Sequence, residues 1–338
     1  MPTPFRPTAL SALLVALLVP LAACSDSLGA PGVGSSAQTT DALGILPADA
    51  QVVGMMDLEA ARESDALLAV TGESGLGMVS RSGGDDFDEF VRMTGFDPAE
   101  DLDRVYLAGA DVDGRSRNPM AFVAYGRFDR DRIEQYLANQ DEAEFETSQV
   151  DGVPVYITAD EDGQRGGFAL VNDQMTIAGD EATLRAMLGR VGGAGVSPEP
   201  ALQALFDRVA HQGAWFVARG LDAVTAEVPN DAPPAALAMR AAEAIVVSMD
   251  FQSDGVPVTA FVKAQDGTDT DDLADVLRGG LSAAKIGLKD NPALFDVVDR
   301  AEVDARADGV SVSGFLTTEF LATMRQGAEA RAVVHDAR

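Results

Sequence analysis

The sequence predicts an α+β protein made of two related units, each a mainly antiparallel sheet with helices packed on one face. Three observations predict it. Short apolar stretches recur between Asp-Gly, Asn-Asp and Gly-rich turn signals. Segments with apolar residues at helical spacing stand between them, several opening on an aspartate. After a Gly- and Pro-rich stretch at 192–200, the same order of elements begins again.

The elements follow in order. "AQVVGMMDLEAA" (50–61) reads as a strand running into a helix, and an apolar helical segment follows around Phe87, Phe90 and Val91. Residues 104–128 read as two strands joined by a Gly- and Asn-rich turn. Ile133, Tyr136 and Leu137 fall at helical spacing behind Asp129, a suitable N-cap. Residues 145–179 hold four short apolar stretches, which suits a four-stranded meander. Leu184, Met187, Leu188 and Val191 then form one apolar helical stripe.

The second copy starts at "GAWFVARGLDAV" (213–224), which aligns without a gap to 50–61 and sets Leu221-Asp222 against Leu58-Glu59. Residues 244–264 match the first hairpin, with Ala260-Phe261-Val262 against Ala121-Phe122-Val123. Residues 295–325 read as a shortened meander plus its closing helix. One continuous α+β domain with recurring hairpins is the alternative arrangement.

The first forty residues carry a different signal. Arg6 precedes an apolar run from Ala9 to Ala23. At about 15 residues the run is too short to span a bilayer, which needs roughly 20, and it fits a secretory signal. It ends in Leu21-Ala22-Ala23-Cys24, which resembles the bacterial lipobox. The resemblance implies cleavage before Cys24 and acylation of its thiol, so that lipid, palmitate-type chains included, ties the protein to a membrane. Cys24 is also the only cysteine in the chain. The resemblance further implies that Ser25, in place of aspartate, directs the protein to the outer membrane or its periplasmic face.

Residues 25–40 are rich in Gly, Ser and Ala, which predicts a flexible tether of roughly 20 Å reach. The expected order is therefore a signal peptide at 1–23, a tether at 24–43, a first unit at 44–191, a linker at 192–200, a second unit at 201–328 and a polar tail at 329–338. Phrases such as "LPADAQVVGMMDL", "TGFDPAEDLDRVYLAG" and "AGDEATLRAML" resemble a broad group of secreted or lipid-anchored bacterial proteins with repeated strand–helix units. That resemblance implies architecture and supplies no catalytic residue.

Composition narrows the chemistry. Acidic residues number 54 against 25 basic ones, and only Lys263, Lys285 and Lys289 are lysines. Phosphate binding needs clustered cations, so nucleic acid is not an expected partner. The acids are spread along the chain, as on a solvated surface adapted to high salt, and a polycation- or metal-binding surface is the alternative. His211 and His335 are the only histidines, too few for ordinary zinc sites, and neither Ser74 nor Ser311 sits in a nucleophile elbow. Trp215 lies in an apolar strand and reads as core. Calcium needs only oxygens, which makes Asp111 and Asp113 in one turn, and Asp266, Asp269 and Asp271 before a helix, the metal candidates. Turn formation and helix capping account for the same residues.

No cofactor is expected. The expected function is a non-catalytic binding or structural role at the cell envelope, with the membrane as partner through Cys24 and the protein partner left open. The alternatives are a carboxylate-based envelope hydrolase and a ligand- or cation-binding sensor between the two units.

Overall fold

The computed structural model describes residues 35–66, 84–109, 120–139, 146–159, 163–193 and, with short breaks at 194, 196–197, 210, 222–224, 227, 230–231, 233 and 290, residues 195–323. The fold is α+β, and every sheet pairing set out below is antiparallel. The chain forms two compact units. The first contains α1 (Ser35–Ile45), β1 (Val52–Asp57), α2 (Leu58–Glu63), α3 (Gly84–Thr94), α4 (Pro98–Asp101), β2 (Leu102–Gly109) and β3 (Ala121–Gly126). It continues with α5 (Arg130–Ala138), β4 (Glu146–Val150), β5 (Val153–Ala159), β6 (Arg165–Asn172), β7 (Met175–Asp180), α6 (Glu181–Leu188) and α7 (Pro200–Phe206). The chain passes into the second unit within β8 (Ala214–Arg219). That unit adds α8 (Pro234–Ala238), β9 (Ala242–Met249), β10 (Gly255–Ala264), α9 (Thr270–Gly287), α10 (Pro292–Asp299), β11 (Glu302–Arg306), β12 (Gly309–Thr317) and a helical segment at 318–323.

The repeat is visible in strand order. The first unit runs β1-β2-β3-β7-β6-β5-β4, and the second runs β8-β9-β10-β12-β11. Counting from β1 and from β8, the two orders agree until the second unit stops two strands short. The shortened meander is therefore real, and α9 and α10 occupy the chain between its hairpins.

The core of the first unit follows from the two-residue period of its strands. Met55, Tyr106, Val123, Ile177, Ala169 and Val155 face one another in register across β1, β2, β3, β7, β6 and β5. All but Met55 are at 0 % exposure, so this row is the centre of the core. The alternate row, Leu107, Phe122, Ala178, Phe168 and Tyr156, faces the other way, and Phe122 stays 37 % exposed. Ile133 and Leu137 of α5 and Phe90 of α3 pack against the Phe168 and Leu170 end of that second face. Thr39 of α1 bonds Tyr106 on the first face. Helices stand against both faces here, α5 and α3 over Phe168 and Leu170 and α1 over Tyr106.

Two expected boundaries shift. Residues 35–43, expected as tether, are helical. Thr39, Ala42, Leu43 and Ile45 are buried, so small residues with no apolar periodicity are ordered by what they pack on. The expected linker at 192–200 leads into α7, whose Leu202, Leu205 and Phe206 are buried, and the first unit extends to Phe216. Phe206 packs on Trp215 at 5.4 Å between ring centroids, and Trp215 is core, 3 % exposed. In the second unit, Val256 and Val258 of β10 pack with Val297 and Val298 of α10, Phe320 and Leu321, with Leu281 and Ala284 of α9 against them.

Candidate functional site

Asp57 ends β1 and caps α2 by accepting from the Ala60 backbone N–H at 2.9 Å. Its other oxygen accepts from Arg104 Nε at 2.9 Å and from a terminal guanidinium nitrogen at 2.6 Å. The two residues face each other in the β1–β2 register, and both side chains are nearly buried. Burial works against the Arg104 charge, but the hydrogen bond and charge of Asp57 outweigh it and raise its pKa. The remaining terminal nitrogen of Arg104 donates to Gln38 Oε1 at 2.6 Å. One helical position on, Thr39 Oγ1 shares a 2.9 Å hydrogen bond with the Tyr106 hydroxyl. Two adjacent residues of α1 are therefore clamped to β2.

The clamp builds one wall of a pocket of about 540 Å³. Gln38, Asp41 and Ile45 line it from α1, on one face of that helix. Tyr125 of β3 and Asn172, Gln174 and Met175 form its floor, and Arg190, Val191, Gly192, Gly193 and Gly195 close the far side. That segment is locked to α1. The Arg190 guanidinium donates to the Ile45 and Leu46 carbonyls, both at 2.9 Å, and so caps the helix C-terminus. Gly195 lies against Gly44 so closely that a Cβ on it would meet Gly44 Cα at 2.8 Å. The stretch that composition reads as linker is a pocket wall.

Tyr125 is 9 % exposed, and its hydroxyl has no hydrogen-bond partner among the described residues. A buried hydroxyl without a partner is uncommon and costly. Burial pushes its pKa well up, and the nearby Tyr106 and the charge of Asp41 add to this, so the group stays protonated and able to donate. The rest of the lining has an uneven polarity. Gln38 Oε1 is taken by Arg104, and Asn172 Oδ1 by the Gln174 N–H at 2.8 Å. Their amide NH₂ groups have no partner among the described residues, which leaves them as donors. Asp41 is exposed and forms no ion pair among the described residues.

A second depression, of about 640 Å³, lies over Gly95, Asp101, Arg127, Asp129 and Arg132. Its arginines are already paired. Arg127 pairs with Asp101 and Asp103, Arg132 pairs with Asp129, and Asp129 caps α5 through the Arg132 N–H. Arg127 and Arg132 are more than half exposed, so this is open surface.

The residues singled out in the sequence fall elsewhere. Cys24, Asp111 and Asp113 lie outside the described residues, as do Ser74 and His335. Asp269 is the N-cap of α9 and accepts from the Asp271 and Asp272 backbone N–H groups at 2.9 and 3.2 Å. Asp266 stands in the turn before it, next to Gly267 at φ +84°. Among the described residues no three His, Cys, Asp or Glu side chains gather to hold a metal ion. Glu181 is a carboxylate whose pKa is displaced, and it moves down, because Arg165 and Arg185 donate to it. A general acid needs the opposite displacement.

Sequence reading missed Tyr125, Gln38, Asp41 and Arg190. A usable signal lay in the alignment of the two copies. Val123 faces Tyr106 across the first hairpin, and Val262 faces Ile245 across the second. Setting Val123 against Val262 places Arg104 against Glu243, Tyr106 against Ile245 and Tyr125 against Ala264. Polar or aromatic groups in one copy stand where the other has different chemistry.

No protein-family model matches the chain, and no curated protein matches it. Among solved structures the chain is similar to TP0453, a Treponema protein. Crystal form III of that protein gives a TM-score of 0.48 at 12 % identity, covering 83 % of this chain and 96 % of that one. Crystal form IV gives 0.47 at 13 %, covering 86 % and 98 %. At these scores the likeness assigns this chain no function.

Proposed function

We propose that this chain is a lipid-anchored cell-envelope protein with a non-catalytic binding role, and that the pocket beneath α1 is its binding site. The observation that carries the binding role is a pocket of about 540 Å³ that gathers the polar side chains of Gln38, Asp41, Asn172, Arg190 and Gln203. That volume lies within the range of small-molecule sites, and a few convergent polar groups in such a pocket mark the default binding site. Asp41 is the single carboxylate in the lining. Carboxylate-based glycoside hydrolysis uses two, so binding is favoured over hydrolysis at this place.

Anchoring rests on Leu21-Ala22-Ala23-Cys24. No helix among the described residues is long and apolar enough to cross a membrane, and acyl chains on Cys24 supply attachment without one. Two or more chains hold a protein stably, at about 0.8 kcal/mol per buried CH₂. Membrane fractionation of a Cys24→Ser variant tests this. The variant is expected in the soluble fraction or unprocessed. A Cys24→Ser chain of normal mature mass that stays with the membrane contradicts the anchor.

A further inference from the structure

The last strand of the first unit leaves one edge open, and we propose that this edge receives an extended cationic segment of a partner protein as an added strand. β4 (Glu146–Val150) pairs with β5 and ends the strand order. Their hairpin is closed by Asp151 and Gly152, at φ 49° and 83°, the positive values that a two-residue type I′ turn needs. In such a hairpin the flanking residues, Val150 and Val153, exchange both hydrogen bonds, and the pattern alternates from there. Val150, Ser148 and Glu146 therefore bond β5. Pro154 stands opposite Gln149 and has no N–H to give, as fits a place outside those bonds. The N–H and C=O groups of Thr147 and Gln149 point the other way, into the open edge. They have no partner among the described residues.

Sheet edges are ordinarily blunted by lysine, proline, a bulge or a covering helix. β11, the last strand of the second unit, is treated in this way. It reads Glu-Val-Asp-Ala-Arg, α9 packs against it, and the Arg278 guanidinium donates to the Val303 carbonyl at 2.8 Å. β4 reads Glu-Thr-Ser-Gln-Val, without lysine or proline, and its register with β5 has no shift. Glu146, Thr147 and Gln149 are exposed. Five strand residues span about 17 Å, enough for an added strand to bond all four outward groups.

Charge selects what that strand carries. Residues 140–163, the hairpin with its immediate sequence flanks, contain eight acids and no lysine, arginine or histidine. Glu146 at the start of β4 shares the Arg165 guanidinium with Glu181. Asp151 at the other end is exposed and forms no ion pair among the described residues. A second copy would bring the same negative charge to the same edge, so pairing of β4 with β4 is opposed. A segment with Lys or Arg alternating with β-branched residues brings the opposite charge and the propensity of a strand. Main-chain hydrogen bonds then hold the segment, and its cations set the choice of partner.

The test combines fluorescence anisotropy and amide hydrogen exchange by NMR on the intact chain, with acetyl-Lys-Val-Lys-Val-Lys-Val-amide as the probe. Without peptide, the Thr147 and Gln149 amides are expected to exchange fast and those of Ser148 and Val150 slowly. Saturation with the probe is expected to slow Thr147 and Gln149 at least tenfold. The Glu-Val counterpart, and the probe N-methylated at every residue, are each expected to bind at least tenfold more weakly. Gln149→Pro removes one outward N–H and leaves the bonds to β5 in place. It is expected to weaken the probe about tenfold, with thermal unfolding as its folding control, and the N-methylated peptide asks the same question of the unaltered protein. Equal binding of the N-methylated peptide overturns strand addition, and equal binding of the Glu-Val peptide overturns the cationic partner. Binding that leaves the Thr147 and Gln149 amides fast places the probe elsewhere and overturns the site, as does no binding at millimolar concentration. Slowing of these two amides with rising protein concentration alone makes a second copy the occupant and contradicts the proposal. The reading of the pocket beneath α1 is independent of all these outcomes.

Discussion

The two units share a strand order and differ in what they do with it. In the first, β2 contributes Arg104 and Tyr106 to a buried polar clamp, and β3 contributes Tyr125 to a pocket. At the aligned places the second unit has Glu243, Ile245 and Ala264. Ile245 and Ala264 are simply buried, and Glu243 pairs with Lys263 on the surface, at 2.6 Å. The outer face differs too. Phe122 is 37 % exposed, while its counterpart Phe261 is 5 % exposed. One framework thus carries two specialisations. The second unit spends the shared positions on apolar packing, and the first places unmatched polar groups next to space. Polar groups at core positions cost stability unless they are satisfied, so the copy that keeps them is where a function is expected.

The sharpest way to break the comparison is to remove the clamp. Asp57→Ala leaves Arg104 nearly buried without its counter-charge and also removes the α2 cap. It should lower the urea unfolding free energy by about 3–5 kcal/mol. Glu243→Ala, at the position aligned with Arg104, removes an exposed pair and should cost less than about 1 kcal/mol. Comparable losses at the two positions would mean that the units do not differ as described.

Backbone contacts come next. A Cβ on Gly167 would collide with the Tyr156 carbonyl, and one on Gly309 with the Val262 carbonyl. Gly167→Ala and Gly309→Ala should each cost about 1–3 kcal/mol by overpacking, because both units use glycine to bring strands together. At Gly279, inside α9, a Cβ would meet nothing. Gly279→Ala should therefore stabilise the protein by about 0.5–1 kcal/mol in the same urea assay. A loss there would show that α9 needs its glycine.

Tyr125→Phe removes an unsatisfied hydroxyl and should leave the stability of the empty protein unchanged or raise it by up to about 1 kcal/mol. Tyr106→Phe deletes the hydrogen bond to Thr39 and should lower it by about 1 kcal/mol. Opposite signs at two neighbouring tyrosines separate the pocket from the clamp.

The smallest effect concerns pH. Glu181 has its pKa lowered by Arg165 and Arg185. A depressed carboxylate contributes stability above its unfolded pKa and loses it as pH falls through the lower, folded value. Glu181→Gln should flatten that acid limb slightly in unfolding curves between about pH 5 and 2, and a steeper limb would contradict the pairing.

Much of the framework was legible in the sequence because it depends on local chemistry. The caps at Asp129 and Asp269, the Gly-marked turns and the stripe of Leu184, Met187 and Leu188 are each set by neighbours along the chain. The repeat was legible because strand order follows hairpin order. The pocket was not, since its parts come from positions as far apart as Gln38 and Gln203. Two of its walls also have the composition of loops. Residues 35–43 are poor in large apolar groups and Gly192, Gly193 and Gly195 have none, and what fixes them is close approach, Gly195 on Gly44, and single long-range bonds such as Arg190 to Ile45. Composition cannot report either.

The most direct test of lipid anchoring is the intact mass of the protein extracted by detergent from its native membrane, with tandem sequencing of its N-terminal peptide. The expected result is a chain that begins at Cys24 and carries the added mass of a diacylglyceryl group, with or without a further acyl chain. A mature chain that begins elsewhere, or begins at an unmodified Cys24, contradicts it.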